Sequence, residues 1–246
     1  MKFNQWITCP EPKPEADVRL FCLPFAGGGA SIYRAWSHDL GSKYEVCPIQ
    51  LPGRENRSGT RAVSDSKRLA EMIASQMSLY LDKPYLIYGH SMGGLLAYEA
   101  LKELESAGYA LPKTAFIGAH RAPHLPLRRS SIIDLSDHDF IKKISSFGGF
   151  EKEVLDSQEL IQFILPTLRA DFSVCDGYQY HPSQPLDCPL VVFSGTDDPE
   201  VPPSDMDEWG QHSIYPLQHI SLPAGHFFLK THADVLQAHI RQFAEQ

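Results

Sequence analysis

The sequence predicts an α/β protein with a mainly parallel sheet flanked by helices. Short apolar segments alternate with longer amphipathic segments along most of the 246 residues, which is the pattern of parallel strands joined by crossover helices. Apolar residues make up 43% of the chain and charged residues 21%, which is the composition of a globular domain with a sizeable core.

Six short apolar runs, bounded by turn-forming residues, are predicted as strands. In chain order they cover residues 18–23, 44–51, 85–88, 114–118, 190–194 and 218–222.

Five further segments are predicted as helices. They cover residues 32–40, 65–81, 92–106, 204–212 and 233–244. In the second of them, Leu69, Ile73 and Met77 recur at helical spacing, so one face is expected to pack on the sheet. Ser31 precedes the first helix and Ser204 opens the fourth, and both serines are expected to act as N-caps.

The alternation of strands and helices stops between residues 121 and 181. Two amphipathic helical patterns fill this stretch: the first follows Ser136 as its N-cap, and the second contains Pro166, which is expected to kink it. We therefore predict a core of residues 1–120 and 182–246 with an inserted helical lid over the site. The large apolar residues of the lid suit an acyl channel, although most of them are expected to bury themselves against the core.

A G-x-S-x-G pentapeptide at a sharp turn from a buried strand into a helix holds the serine hydroxyl beyond the strand end. Residues 89–93, GHSMG, have this pattern between a predicted strand and the predicted helix that starts at Met92. Ser91 is therefore predicted as a catalytic nucleophile. The Met92 amide lies at the helix N-terminus, where it is predicted to stabilise an oxyanion.

A serine nucleophile needs a base and an orienting carboxylate, which follow it in the order acid, then histidine, in the α/β-hydrolase architecture. Asp197 and Asp198 both follow the predicted strand 190–194. Asp198 is preferred because the three-residue step from Gly195 lets the chain turn first, and Asp197 stays an alternative. His226 lies on a loop after the last predicted strand and is predicted as the base.

The loop after the first predicted strand, LPFAGGGAS at 23–31, contains three consecutive glycines. Backbone of this kind passes close to a ligand, so the amide of Phe25 or of Ala26 is predicted as the second oxyanion donor. A nucleotide-phosphate loop is the rival interpretation. It lacks a Gly-Lys-Ser/Thr, and Ile32 stands where G-x-G-x-x-G needs its third glycine.

Composition and spacing argue against several classes of partner and site. The net charge of −8 argues against nucleic acid and anionic membrane surfaces as partners. The five cysteines form no C-x-x-C pair and the histidines lack metal-ligand spacing, so neither disulfides nor a metal site are predicted. No stretch has the length of a signal peptide or membrane span, and a reducing cytoplasm is the expected compartment.

The chain resembles the type II thioesterases that serve nonribosomal peptide and polyketide synthases, within the α/β-hydrolase superfamily. The stretches that carry the resemblance are 23–29 (LPFAGGG), 50–55 (QLPGRE), 88–94 (YGHSMGG), 121–124 (RAPH), 165–172 (LPTLRADF) and 224–229 (AGHFFL). The resemblance implies Ser91 as nucleophile, Asp198 as acid and His226 as base, with Phe25 and Met92 as oxyanion donors.

Two further features of the chain bear on the lid. Arg169 and Asp171 fall in one family stretch, where a structural ion pair between them is expected. The chain departs from many relatives at 147–150 (FGGF), which bears on lid shape and hence on acyl preference.

The resemblance implies a substrate and a task. The substrate is an acyl or aminoacyl thioester on the phosphopantetheine arm of a carrier protein, and the task is to remove units that stall an assembly line, without a metal or organic cofactor. The runner-up functions are a medium-chain acyl-carrier thioesterase of lipid synthesis and a carboxylester hydrolase, and a non-catalytic binding module is the third hypothesis.

A basic cluster at the start of the lid is a candidate contact for the acidic helix of such a carrier. It comprises Arg121, Arg128 and Arg129, with Lys142 and Lys143 further along the chain. Ordinary solvated charges are the alternative interpretation of these residues. The protein itself is expected to be a monomer.

Overall fold

The computed structural model describes residues 3–149 and 152–244, which form a six-stranded sheet flanked by helices. The strands are β1 (Val18–Leu23), β2 (Tyr44–Pro48), β3 (Tyr85–His90), β4 (Thr114–Gly118), β5 (Leu190–Gly195) and β6 (Gln218–Leu222). Neighbouring strands are parallel, and their order across the sheet is β2-β1-β3-β4-β5-β6. The predicted fold class is confirmed.

Helices and short 3-10 segments connect the strands. The α-helices are α1 (Trp36–Asp39), α2 (Ser66–Met77), α3 (Met92–Ser106), α4 (Asp137–Ser145), α5 (Lys152–Leu155), α6 (Gln158–Asp176), α7 (Pro203–Asp207), α8 (Phe228–Thr231) and α9 (Ala233–Ala244). The 3-10 segments are Ala30–Tyr33, Glu55–Arg57, Ser78–Tyr80 and Glu208–His212.

The sheet is covered on both faces, which is why strands β1 to β5 are buried along their whole length. Helices α2 and α3 pack their apolar sides on one face, with Leu69, Ile73 and Leu96 in the contact. The other face is covered by α1 and α9, through Trp36 and Ile240 among others. Strand β3 is central, so the turn that follows it opens at the middle of the carboxyl edge of the sheet.

Most predicted elements are found near their predicted bounds, and two predicted caps are wrong. Ser31 lies inside the 3-10 segment Ala30–Tyr33, where its hydroxyl donates to Glu55 instead of capping a helix. Ser204 lies inside α7, whose N-cap position is taken by Pro202. The turn that contains Ser31 already begins at Ala30, and Pro203, whose fixed φ suits the first turn of a helix, begins α7 before Ser204 is reached.

Strand β2 also ends three residues earlier than predicted. Beyond Pro48 the chain pairs with the N-terminal segment: Ile49 bridges Ile7 in antiparallel orientation, and the Gln50 N–H donates to the Trp6 carbonyl at 2.8 Å.

A helical insert of α4, α5 and α6 separates β4 from β5, as the interrupted alternation predicted. The Ser136 hydroxyl accepts from the Asp139 N–H at 3.2 Å and caps α4 as predicted. Helix α6 runs through Pro166 without ending. The insert has an apolar cluster of its own, which contains Ile132, Phe140, Ile144 and Leu168. Of the four residues at 147–150, Phe150 lies outside the described residues.

Among the described residues, no helix combines the length and the apolar character that crossing a membrane requires.

Candidate active site

Ser91 lies at the turn between β3 and α3 with a left-handed backbone, at φ 53° and ψ −120°. A positive φ is costly for a residue with a side chain, so the surrounding backbone must hold it there. Two glycines allow the packing: a Cβ at Gly89 would lie 2.1 Å from the Gly93 carbonyl oxygen, and a Cβ at Gly93 would lie 2.3 Å from that of Leu23. The turn is thus closed by backbone on both sides of the serine.

Ser91, His226 and Asp198 form one hydrogen-bonded chain. The Ser91 hydroxyl lies 2.9 Å from His226 Nε2, and His226 Nδ1 lies 2.7 Å from Asp198 Oδ2. A carboxylate oxygen accepts only, so Nδ1 carries the proton of the neutral ring and Nε2 accepts from the serine. The imidazole therefore has the tautomer that can take a proton from Ser91.

The Asp198 carboxylate is held from the opposite side by two backbone donors. Its Oδ1 accepts from the N–H groups of Glu200 and Val201 at 2.8 and 3.1 Å, and the side chain is fully buried. Asp197, the alternative left open by the sequence, is exposed and makes no contact with His226 among the hydrogen bonds of the described chain. The geometry therefore favours Asp198 as the orienting acid.

The loops that carry Asp198 and His226 are pressed together at the end of β5. A Cβ at Gly195 would lie 2.3 Å from the Ala224 carbonyl oxygen, and the Asp197 N–H donates to that same oxygen at 3.0 Å. Gly195 is thus needed for the close approach of the two backbones, which brings acid and base within hydrogen-bond distance.

His90 supports His226 from beneath. Its Nε2 donates to the His226 carbonyl at 2.8 Å, and its Nδ1 accepts from the Tyr88 hydroxyl at 2.9 Å. Burial, together with the nearby His226, lowers the pKa of His90 to about 3. His90 is therefore a neutral ring that fixes the backbone of the neighbouring histidine, a role its position beside Ser91 does not reveal.

Three backbone N–H groups near Ser91, those of Phe25, Ala26 and Met92, donate to no acceptor within the described residues and are available to an oxyanion. Met92 begins α3 and so has no intrahelical acceptor, and neither its N–H nor that of Phe25 donates to another group in the described part of the chain. The loops that carry them touch, because Gly93 packs on the carbonyl groups of Leu23 and Pro24. Ala26, the other candidate donor, lines the same pocket.

The pocket in front of Ser91 has a volume of about 170 Å³. Its apolar wall comes from the core loop, the insert and the loop of His226, through Phe25, Ile144, Phe147, Phe172 and Phe227 among others.

The three predicted arginines of the basic cluster all line this pocket, but they differ in pairing. Arg128 contacts Asp205 with two nitrogens at 2.6 and 2.5 Å, and Arg129 pairs with Asp176 at 2.7 Å and with Glu200 at 3.2 Å. Arg121 donates to the Leu125 carbonyl, and no carboxylate of the described residues lies within 4.0 Å of it. Burial lowers the pKa of Arg121.

The expected pair between Arg169 and Asp171 is wrong. Arg169 pairs with Asp137 at 2.6 Å on the exposed side of α6, and Asp171 pairs with Arg54 at 2.6 Å on the buried side. Residues two apart in a helix point in different directions, so the two side chains cannot face each other. Arg54 lies in QLPGRE, one of the stretches that carry the family resemblance, so the sequence could have marked it as a candidate. Its partner Asp171 is 117 positions away, and no local pattern indicates that pairing.

A second serine–histidine–aspartate chain was not foreseen. The Ser194 hydroxyl lies 2.8 Å from His219 Nε2, and His219 Nδ1 lies 2.6 Å from Asp207. Ser194 is fully buried within β5, and unlike Ser91 it does not line the pocket. This chain satisfies polar groups between β5 and β6 but offers no nucleophile to a substrate.

Within residues 3–149 and 152–244, no group of three or more His, Cys, Asp or Glu side chains is arranged to hold a metal ion.

Comparison with known proteins assigns the chain to a family. Residues 18–244 match the family model described as a thioesterase domain. The gramicidin S biosynthesis protein GrsT of Aneurinibacillus migulanus is 35% identical over 226 residues, which cover 92% of this chain and 88% of that protein.

Two solved structures have the same fold over most of their length. RedJ, a thioesterase from the prodiginine biosynthetic pathway in Streptomyces coelicolor, is 36% identical with a TM-score of 0.88, over 94% of this chain and 87% of that one. BorB, the type II thioesterase from the borrelidin biosynthetic cluster, is 30% identical with a TM-score of 0.90, over 99% of both chains. The chain therefore belongs to the thioesterase family and is a serine hydrolase with the α/β-hydrolase fold.

Proposed function

We propose that this thioesterase removes acyl or aminoacyl groups from the phosphopantetheine arm of carrier proteins, as an editing enzyme of nonribosomal peptide or polyketide assembly lines. The observation that carries the proposal is the hydrogen-bonded chain of Ser91, His226 and Asp198 at the floor of an apolar pocket. The similarity to GrsT, RedJ and BorB supports the biosynthetic setting.

In the proposed mechanism, the Ser91 hydroxyl oxygen attacks the thioester carbonyl carbon while His226 Nε2 takes its proton. Asp198 stabilises the imidazolium that forms. The N–H groups of Phe25 and Met92 stabilise the negative oxygen of the tetrahedral intermediate. The carbon–sulfur bond then breaks and the sulfur receives the proton from His226.

The second half of the reaction repeats these steps with water. His226 Nε2 takes a proton from a water molecule, whose oxygen attacks the acyl-serine carbonyl, and the carbon–oxygen bond to Ser91 breaks. The serine recovers its proton from His226, and the free acid leaves.

The size of the pocket favours a short acyl group. A cavity of about 150 Å³ lined by apolar side chains holds a benzene molecule, and this pocket has about 170 Å³. We therefore expect acyl chains of roughly six non-hydrogen atoms to fit with the lid in this position.

We also propose the division of the chain into a core of 1–120 and 182–246 and a lid of 121–181. The support is that α4 and α6 contribute pocket wall through Ile144 and Phe172, and that the insert has its own apolar cluster. Motion of α4 would then change access to Ser91.

The carrier is proposed to contact the basic cluster beside the pocket mouth. Arg128 is 56% exposed there, and Lys142 on α4 is exposed as well. Because Asp205 is nearly buried, a glutamate at position 128 would face a buried like charge and destabilise the fold. Lys142→Glu is therefore the better test, because Lys142 is exposed and does not line the pocket: KM for an acyl-carrier substrate rises several-fold, while KM for a small acyl thioester stays the same. A variant whose KM for the acyl-carrier substrate equals that of the native enzyme would contradict this contact.

The protein is proposed to work in the cytoplasm as a monomer. The support for the compartment is that Cys9, Cys22, Cys47, Cys175 and Cys188 are all free thiols. Analytical sedimentation tests the monomeric state, and a dimer at micromolar concentration would contradict it.

The experiment that tests the function compares three substrate types with the same short acyl group: a phosphopantetheinyl carrier, a simple thioester and an oxygen ester. We expect the highest kcat/KM with the carrier. Highest activity on the oxygen ester would favour a carboxylester hydrolase. A second series of carriers with increasing acyl length tests lipid synthesis, which a strong preference for medium-length acyl groups would favour.

The matched control uses the two serines of the two hydrogen-bonded chains. Ser91→Ala abolishes turnover and labelling by a phosphonyl fluoride, whereas Ser194→Ala keeps both. Turnover that survives Ser91→Ala would overturn the proposal, and lack of labelling in the native protein would favour a binding module.

A further inference from the structure

We infer that Asp171 and Arg54 are positioning residues: their buried ion pair fixes the oxyanion loop, residues 24–29, and joins it to helix α6 of the insert. The inference rests on the proposed function, since it assigns the pair a role in stabilising the transition state of that reaction. Neither residue contacts the acyl pocket itself.

The pair is completely enclosed and bidentate. The Asp171 side chain has no exposed surface and that of Arg54 is 7% exposed. Arg54 Nη1 lies 2.7 Å from Asp171 Oδ2, and Nη2 lies 2.6 Å from Oδ1. Planar fork-to-fork pairing of this kind fixes both distance and orientation.

Both members of the pair also bind the backbone of the oxyanion loop. The Gly27 N–H donates to Asp171 Oδ2 at 2.7 Å, and Arg54 Nη1 donates to the Gly28 carbonyl at 3.0 Å. The Gly28 N–H in turn donates to the Phe25 carbonyl at 2.9 Å, which closes a turn over residues 25–28. Because the turn is anchored on one side, the direction of the free Phe25 N–H is set by the ion pair.

The turn has little freedom to relax elsewhere. Gly27 has φ +81°, and a Cβ there would lie 2.7 Å from Leu168 of α6. A second tie lies one helical turn away, where the Thr167 hydroxyl donates to the Gly53 carbonyl at 2.6 Å. Helix α6 is thus fastened to the oxyanion loop and to the loop of Gly53 and Arg54, and it is the fixed side of the insert.

The same helix forms part of the acyl pocket. Phe172 and Cys175 of α6 line it from one side, and Phe25 and Ala26 of the oxyanion loop line it from the other. An acyl group in the pocket therefore contacts both parts that Asp171 joins.

Stability alone is a weak reason for such a pair. Desolvating two charges offsets most of their attraction, and well-packed apolar residues often serve a fold equally well. Apolar packing cannot fix a backbone N–H in this way, because the N–H needs a polar acceptor such as a carboxylate, carbonyl or hydroxyl oxygen.

The test is Asp171→Asn, which keeps the side-chain shape but removes the charge and one acceptor. We expect kcat to fall roughly 10- to 100-fold with KM within about twofold, a fraction of the 10²- to 10³-fold effect of losing a whole oxyanion donor. Asp137→Asn is the matched control, because it breaks the exposed ion pair between Asp137 of α4 and Arg169, which lies on α6 as Asp171 does. We expect its kcat to stay within about twofold of the native value.

A second readout separates positioning from damage to the fold. A trifluoromethyl ketone adds to Ser91 and places an oxyanion where the transition state has one, so its Ki in Asp171→Asn rises by the same factor as kcat/KM falls. Loss of folded protein would lower the active fraction and leave Ki unchanged. Unchanged Ki, or unchanged kcat, overturns the inference.

One further variant keeps the test decisive. If Asp171→Asn does not fold, Thr167→Val is tested instead, because it removes the hydrogen bond from the Thr167 hydroxyl to the Gly53 carbonyl. We expect Ki to rise and kcat/KM to fall by the same factor, of several-fold. Absence of that proportionality again overturns the inference. A failure of the proposed function has a different signature, namely a native enzyme without thioesterase activity or a Ser91→Ala variant that keeps it.

Discussion

Gly89→Ala is the substitution whose effect can be worked out most directly from the structure. A methyl group there would lie 2.1 Å from the Gly93 carbonyl oxygen, 2.4 Å from the Gly93 carbonyl carbon and 2.7 Å from the Gly94 nitrogen. All three atoms belong to the backbone of α3, so no side-chain rotation relieves the contacts. The first turn of α3 must move until these distances exceed about 3.0 Å.

The size of the effect follows from that displacement. Overpacking a well-packed interior costs about 1–3 kcal/mol when side chains can yield, and here only backbone can. We therefore expect the free energy of unfolding to fall by at least about 3 kcal/mol, which for a chain of this length lowers Tm by roughly 6–12 °C. A shift of roughly 1 Å at the Met92 amide also costs on the order of 100-fold in kcat.

The assay is thermal unfolding followed by circular dichroism, together with thioester turnover of the folded variant. Gly59→Ala is the matched control, because a Cβ at that position meets nothing within 4 Å. Its Tm should stay the same or rise slightly, since alanine reduces the entropy of the unfolded chain. A Gly89→Ala variant with the Tm and kcat of the native enzyme would refute the steric argument.

Three other outcomes are expected. Asp198→Asn lowers kcat about 10⁴-fold because the amide no longer selects the tautomer of His226, and kcat within tenfold of native would contradict the assigned role. Ser194→Ala keeps kcat within about twofold while stability falls by about 1 kcal/mol, since it loses only buried hydrogen bonds, and a large loss of turnover would contradict this. Burial holds the pKa of His90 and of His120 at about 3, so both stay neutral in the folded state while the unfolded state binds protons below pH 6.5. The contribution of these two histidines to the free energy of unfolding is therefore fully present above pH 6.5, and between pH 6.5 and pH 3 it falls by about 1.4 kcal/mol per pH unit for each histidine. Equal urea midpoints at pH 7 and pH 5 would contradict this expectation.

The parts of the active site that the sequence predicts are those with local signals. The pentapeptide at 89–93 between a strand and a helix predicted Ser91, and the position of His226 after the last strand predicted the base. The choice between Asp197 and Asp198 remained open, because it depends on how the loop after Gly195 packs on the loop of His226. That contact joins segments almost thirty residues apart and has no local pattern.

The pairing of charges shows the same division. Arg169 and Asp171 are neighbours in the sequence, yet their partners are Asp137 and Arg54, on opposite sides of one helix. The sequence identified a charged family stretch but assigned the wrong partner. Helical geometry separates residues two apart, and only the packing of α6 on the core decides which acid meets which base.

The sequence by itself determined the order of strands and helices, the fold class and the nucleophile turn, because periodicity and turn-forming residues act over a few positions. Only the tertiary structure decided that Asp198 and not Asp197 contacts His226, that Ser91 lines the pocket while Ser194 is buried, and that Asp171 and Arg54 bind the backbone of residues 24–29. These depend on burial and on distances between remote segments, and hydrogen bonds of under 3 Å are formed or lost through shifts that no local pattern specifies.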